Sequence, residues 1–342
     1  MKMLSAFLAV MSAVTLQPVL DQAVRDGYPA AIAYVRQSDR EWRYAAGVAD
    51  KATGRPARPS DRFRIASNTK AFVATVVLQL EGEHRLSLDD RVSRWLPELR
   101  STATIRQLLN HTSGIWDPTR EAAFWTPYLQ RHDRDFVYRP RDVVAMALAH
   151  APDFAPGTGH AYSNTNYLLA GLVIEAVTGH RADTEIRDRL LRPLRLWHTS
   201  FPTTDPEIHG RHLHGYDLTG TDMTRFSPSY DWTAGAMVST LDDLAHFERA
   251  LFTGRLLPPA QQRELTDAID RIEVPCDTGP VTAWKTDGGG PGYTSIALTT
   301  LDGSRQLILV GTVFDIAAEL RGDNPVPVSA ALGAALHTAV CR

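Results

Sequence analysis

The sequence predicts an α/β protein of the α+β type, with an antiparallel sheet flanked by N- and C-terminal helices and an all-helical domain inserted into it. Three observations carry this expectation. Strand-like runs lie near both chain ends, at Ala30 to Arg36, Trp42 to Ala49, Thr294 to Thr299 and Arg305 to Phe314, and short polar turns between them suit antiparallel pairing. The middle of the chain carries helical spacing instead. Strands contributed by both termini to one sheet leave that helical stretch as an insertion. The boundaries read as 15–75 and 235–342 for the discontinuous sheet domain and 76–234 for the helical one.

Taken in order, Leu16, Val19, Leu20 and Val24 recur at helical spacing from Thr15 to Arg25. The first two strands follow as a hairpin around Gln37 to Arg40, and Asp50 to Pro56 is a loop rich in turn formers. A long helix starts near Ser67 and carries Phe72, Val73, Val76, Val77 and Leu80 on its apolar face. Further helices are expected at Ile105 to Leu109, Pro140 to Ala149, Tyr167 to Thr178, Thr184 to Leu191 and Leu241 to Leu251. The charged and aromatic stretch Asp117 to Asp135 reads as a long loop or lid. Asp302-Gly303 turns the last two strands, and an amphipathic helix from Val328 to Val340 closes the chain.

Composition excludes several classes. With 342 residues, 44 % hydrophobic, 22 % charged and a net charge of -3 with both signs interspersed, the chain is an ordinary globular protein, with neither a nucleic-acid-binding nor a polybasic membrane-surface character. Residues 1–14 pair Met1-Lys2 with a short apolar run; they read as a secretory signal or as an amphipathic first helix, and are too short to span a bilayer. The mature chain is therefore expected to hold no integral membrane segment. The two cysteines, Cys276 and Cys341, allow one intramolecular bridge, which would pin the C-terminus and imply an oxidising, extracellular setting; the alternative is two unrelated thiols.

The chemistry concentrates in Phe63-Arg-Ile-Ala-Ser67-Asn-Thr-Lys70. Serine is a weak nucleophile until its proton is removed. A lysine at i+3 on a helix shares its face, so the amine reaches the hydroxyl, and burial or a neighbouring cation that lowers its pKa would let it act as a base. Ser-x-x-Lys alone is common by chance. A second segment, Pro156-Gly-Thr-Gly-His-Ala-Tyr162-Ser-Asn164, changes that: in an extended loop Tyr162 and Asn164 point the same way. Tyr162 then serves as a proton shuttle, and Asn164 holds Lys70 and a substrate amide.

With these motifs the sequence resembles the serine beta-lactamase and penicillin-binding family of the class C type, especially its secreted DD-carboxypeptidase/transpeptidase members. Gly47-Val-Ala-Asp-Lys-Ala-Thr-Gly, Asp61-Arg-Phe-Arg, His111-Thr-Ser-Gly, Tyr162-Ser-Asn-Thr-Asn and Ala234-Gly-Ala-Met-Val-Ser follow in the family's order. The resemblance implies the beta-lactamase/transpeptidase-like fold and Ser67 as acylated nucleophile, with Lys70 and Tyr162 sharing the acid and base roles. It also implies a Cys276–Cys341 disulfide, no metal or other cofactor, a small-molecule or peptide acyl donor, and a monomer.

The third family motif is altered. Where the family has His-Thr-Gly or Lys-Thr-Gly on the strand edging the cleft, this chain has Trp284-Lys285-Thr286-Asp287-Gly288-Gly289-Gly290. Counting back from Gly292-Tyr293 puts Thr286 at the cation position and makes Gly289 the oxyanion N–H donor beside that of Ser67; a one-residue insertion gives the Lys-Thr role to Lys285-Thr286 instead. The first register removes a cation, which weakens carboxylate recognition. The expected activity is that of a D-alanyl-D-alanine carboxypeptidase/transpeptidase. The alternatives are a beta-lactamase, esterase or transacylase, or a non-catalytic penicillin- or peptide-binding module. His209, His212 and His214 are read as loop residues rather than metal ligands, and His111 as a structural hydrogen-bonding residue at a turn. His160 is placed at the cleft or surface; Trp116, Phe124, Trp125 and Tyr128 form either a hydrophobic wall or helical-domain core.

Overall fold

A computed structural model describes residues 16–99, 101–265, 268–277 and 279–341. Residues 1–14, read above as a signal or a first helix, lie outside the described residues. The chain opens with helix α1 (Gln17–Arg25), started by Pro18 in its first turn, where the missing N–H costs nothing. Strands β1 (Ala30–Gln37) and β2 (Arg40–Asp50) form the expected hairpin. It closes on Ser38-Asp39 with Ser38 at φ 57°, the conformation such a two-residue turn demands. Short strands β3 (Arg55–Pro56) and β4 (Phe63–Arg64) lead into helix α2 (Thr69–Gly82). Next come α3 (Pro140–Ala149), α4 (Asn164–Thr178), β5 (Val238–Ser239) and α5 (Leu241–Phe252). Strands β6 (Arg271–Val274), β7 (Val281–Gly290), β8 (Tyr293–Thr300) and β9 (Arg305–Gly311) precede the last helix, α6 (Ala330–Cys341).

Seven strands make one antiparallel sheet in the order β3-β2-β1-β9-β8-β7-β6, so the first and last thirds of the chain meet at β1 and β9. The α+β prediction and the antiparallel sheet with flanking terminal helices hold. Alternation of side chains divides the sheet between two cores. On one face Ala31, Ala33, Val35, Ala283, Leu298 and Leu309 pack under α1 and α6. On the other, Ile32, Tyr34, Trp284, Ala297, Ile308 and Val310 join the larger helical core. Helices α2 and α4 run through that core buried nearly all round, which suits their lack of a polar face. Gly171 lets α4 approach the Trp232–Gly235 turn, since a Cβ there would lie 2.4 Å from Thr233 Oγ1.

Several boundaries differ from those expected, each for a local reason. Ser67 sits in a single 3₁₀ turn, Ala66–Asn68, ahead of α2 rather than inside it. Helix α4 begins at Asn164, with Ser163 still extended at φ -145°. The helix expected at Thr184 starts at Ala182, its first turn stabilised by Asp183 and Glu185 against the helix dipole, and widens into a π turn over Arg187–Leu191. The last strand ends at Gly311: Thr312 still donates its N–H to the Ala30 carbonyl, but its own carbonyl accepts from Tyr216 and the Phe314 N–H donates back to Tyr216. The stretch Asp117 to Asp135 is not a lid: Phe124, Trp125 and Tyr128 are buried to 5 %, 3 % and 0 % exposure, respectively, and Asp117 is buried as well, whereas Glu121, Arg131, Asp133 and Asp135 are exposed.

The segment before Cys276 forms the four-residue edge strand β6. Cys276 and Cys341 are bonded, with Cα atoms 5.3 Å apart, so the bridge ties this sheet edge to the end of α6. Among the described residues no helix is long and apolar enough to cross a membrane.

Candidate active site

A cleft of about 690 Å³ opens between the sheet and the helical layer, and Ser67, Lys70, Tyr162, Asn164, Asp231 and Gly289 all line it. Ser67 is delivered to its floor by a tight turn. Ala66 holds φ 43°, costly for a residue with a Cβ. Strand β7 presses on this turn, because a Cβ on Gly288 would lie 2.3 Å from the Ile65 carbonyl oxygen.

Lys70, one turn along, is only 7 % exposed. Its three N–H protons are all engaged, with Ser67 Oγ at 2.9 Å, Asn164 Oδ1 at 2.8 Å and the Ala234 carbonyl at 2.8 Å. Burial brings its pKa down from 10.5 to about 8, against the raising influence of Asp231, Asp117 and Asp287. Tyr162 hydroxyl and Ser67 Oγ are 2.7 Å apart, and the Lys70 ammonium lies 4.8 Å from the Tyr162 ring centroid. Burial of that hydroxyl pushes its pKa well above 10.0; the Ser67 hydrogen bond opposes this, and the acidic groups Asp231, Asp287 and Asp117 add to it. Of the two groups on Ser67, Lys70 is thus the one driven towards a neutral base, whereas Tyr162 keeps its proton and is suited to donate it.

Other groups hold these two in place. Asn164 donates its backbone N–H to Asp117 at 2.8 Å and its amide to Thr119 Oγ1 at 3.2 Å, which turns its carbonyl oxygen to Lys70. His111 stacks on Tyr162 with centroids 4.5 Å apart and accepts from the Ser163 N–H at 3.2 Å. Burial, with Lys70 and His160 adding to it, lowers its pKa to about 3. It is a neutral support, as a turn histidine was expected to be.

The altered strand resolves by parity. In β7 the Lys285 N–H bonds Asp270 O, on the side where β6 pairs, so alternation sends the N–H groups of Asp287 and Gly289 the same way, past the end of β6 and into the cleft. Gly289 lies across the Ser67 turn, and a Cβ there would sit 2.3 Å from the Phe314 ring. Thr286 and Gly288 face the Ser67 side. Lys285 shares the opposite face with Ala283 and its partner Leu298, and its ammonium is 2.9 Å from Asp287. That pairing occupies the Lys285 ammonium, which lines the cleft from the face of β7 opposite Thr286. Thr286 does not supply a cation either. Its hydroxyl donates to the buried carboxyl of Glu248, which also accepts from Thr299 at 3.4 Å and which burial raises from 4.5 to about 7.

Sequence reasoning missed Asp117, Asp231 and Glu248. Asp231 precedes Ala234-Gly235 by three residues and is 4 % exposed; nothing in its local pattern marks it as a cleft residue. The three loop histidines go to separate partners: His209 to Asp205 at 2.6 Å, His214 to Asp222 at 2.8 Å and His212 to the Gly210 carbonyl at 2.8 Å. Trp125 lines the cleft, whereas Phe124 stacks on Tyr138 in the core and Trp116 stacks on His150.

A serine bonded to a buried lysine and a tyrosine, below an open strand edge on an α+β scaffold, defines a serine beta-lactamase-fold hydrolase. The Beta-lactamase family model matches residues 16–297, and the chain belongs to that family. It is 32 % identical to esterase EstB of Burkholderia gladioli over 321 residues, covering 84 % of this chain and 80 % of that one. Other curated relatives, 33 % identical over 220 residues, are matched over only 41 % of their own length, so the chain spans less than half of them. Among solved structures, the D-stereospecific amidohydrolase from Streptomyces sp. superposes with a TM-score of 0.81 at 34 % identity, covering 94 % of this chain and 97 % of that one. The D-amino acid amidase from Ochrobactrum anthropi SV3 complexed with L-phenylalanine gives 0.76 at 27 % identity, covering 88 % and 91 %, respectively.

Proposed function

We propose that the protein hydrolyses an amide or ester whose acyl donor lacks a free terminal carboxylate, through an acyl-enzyme on Ser67. The observation that carries the substrate reading is the wall opposite the serine. Thr286 is engaged with buried Glu248 and Lys285 with Asp287, leaving no free cation among the described residues of that wall to anchor the carboxylate of a D-alanyl-D-alanine peptide. The relatives named as esterase, D-stereospecific amidohydrolase and D-amino acid amidase supply the substrates to try first.

In this reading Lys70 takes the proton of Ser67 as Oγ attacks the carbonyl carbon. The negative charge forming on the carbonyl oxygen is met by the N–H groups of Ser67 and Gly289. Collapse breaks the bond to the leaving group, and Tyr162 delivers a proton to the departing nitrogen or oxygen while Lys70 returns one to Tyr162. Water then attacks the ester carbonyl, its proton passing to the same relay, and Ser67 is released. Asn164 keeps Lys70 aimed at Oγ throughout. The disulfide supports an extracellular location.

Initial rates on p-nitrophenyl butyrate, D-phenylalanine amide and an N-acylated D-alanyl-D-alanine peptide test the proposal. Turnover of the first two, lost in Ser67→Ala, is expected. Cleavage of the peptide in preference to both would return the activity to a carboxypeptidase.

A further inference from the structure

We propose that the buried carboxylate of Asp231 is an ammonium subsite of the cleft, built to receive the free α-amino group of an aminoacyl amide or ester. This rests on the reading of Ser67 as the acylated nucleophile and names the substrate class that the same site takes.

Asp231 lines the cleft with Ser67 and Lys70, yet it is only 4 % exposed and its Oδ1 has no hydrogen-bond partner. A buried carboxylate oxygen without a donor is uncommon because its lost hydration is not replaced. Lys70 does not supply the donor, since its three protons go to Ser67, Asn164 and the Ala234 carbonyl. The other Asp231 oxygen packs over Gly235, where a Cβ would lie 1.7 Å from Oδ2 and 3.4 Å from the Ala66 carbonyl carbon. The carboxylate therefore stands immediately behind the nucleophile turn. An α-amino group is two bonds from the carbonyl carbon that Ser67 attacks, so the group reading it must be a close neighbour of Ser67.

The surrounding charge selects the same ligand. Asp117 and Glu319 line the cleft with Asp231. Among the described residues the cations of the cleft are already committed, Lys70 to Ser67, Asn164 and the Ala234 carbonyl, Arg120 to Asp153 at 2.7 Å and Lys285 to Asp287. An ammonium entering this field relieves it, whereas a carboxylate adds to it. Burial, opposed by the nearby Lys70 charge and aided by Asp117, raises Asp231 to about 6, which leaves the group ionised at neutral pH and able to pair with such a cation.

The test compares D-phenylalanine p-nitroanilide with 3-phenylpropanoyl p-nitroanilide, which differs only in lacking the amine, on the full-length enzyme and on Asp231→Asn. The wild type is expected to prefer the free amine, and the ratio of the two kcat/KM values should fall by about 30-fold in Asp231→Asn, mainly through KM, because one partner of a buried charged pair is removed. An unchanged ratio, or equal losses on both substrates, would show Asp231 acting only through Lys70 and would overturn the subsite. The wild-type comparison needs no variant: no preference for the amine also overturns it. Ser67-dependent hydrolysis of p-nitrophenyl butyrate alongside that result leaves the serine assignment standing, whereas failure to acylate Ser67 removes both.

Discussion

The pH dependence of acylation follows directly from the burial of Lys70. With its pKa brought to about 8 rather than 10.5, roughly 9 % of the amine is neutral at pH 7, against about 0.03 % for an ordinary lysine, a gain of about 300-fold in competent base. kcat/KM for p-nitrophenyl butyrate, followed at the isosbestic wavelength of the product, should therefore rise about tenfold per pH unit from pH 5.5 and level off near pH 8. Lys70→Arg keeps the charge but cannot lose a proton, and should lower kcat/KM by a factor on the order of 10³, in the range of a lost general base. Tyr162→Phe retains Lys70 and should keep the rising limb while lowering the plateau. A flat profile between pH 5.5 and 8 in the wild type, or Lys70→Arg retaining a tenth or more of the activity, would refute the assignment of Lys70 as base.

Two further outcomes concern stability. Glu248 is raised to about 7 from 4.5, so the folded state binds the extra proton between those values. Stability is accordingly undiminished below pH 4.5 and falls as pH rises through 7, by about 3 kcal/mol in all. Glu248→Gln keeps an acceptor for Thr286 without the charge and should raise Tm at pH 8 by several degrees with little change at pH 5, as read by differential scanning fluorimetry; an equal shift at both pH values would contradict the buried-acid reading. Reduction of the Cys276–Cys341 bridge, or Cys276→Ser, should cost about 2–4 kcal/mol in denaturant unfolding while KM stays unchanged, because the bridge holds α6 and β6 rather than the cleft wall; a change in KM matching the stability loss would place the bridge in the site.

Ser67, Lys70, Tyr162 and Asn164 were legible because each pair is fixed by local spacing, one helical turn in the first case and two residues at a helix entry in the second. The structure brings the two pairs to one cleft, although Asn164 begins a helix rather than lying in a loop. The register of the third motif was not legible: alternation along β7 separates Thr286 from Lys285, and only the pairing with β8 fixes which face meets Ser67. Asp231 and Glu248 escaped notice because their environments are made by residues far away in sequence, Lys70 and Ala66 for one, Thr286 and Thr299 for the other. Asp117 to Asp135 misled in the opposite way. Its charges suggested a solvent-exposed lid, while its aromatic residues supply core and cleft wall.

The central claim is that Ser67 is acylated. Intact-mass spectrometry of the full chain, quenched in acid within seconds of mixing with p-nitrophenyl butyrate, addresses it most directly. A single added butyryl group, mapped by peptide digestion to the segment containing Ser67 and absent in Ser67→Ala, is the result expected. Ester turnover with no adduct on that segment, or undiminished turnover in Ser67→Ala, would contradict the account.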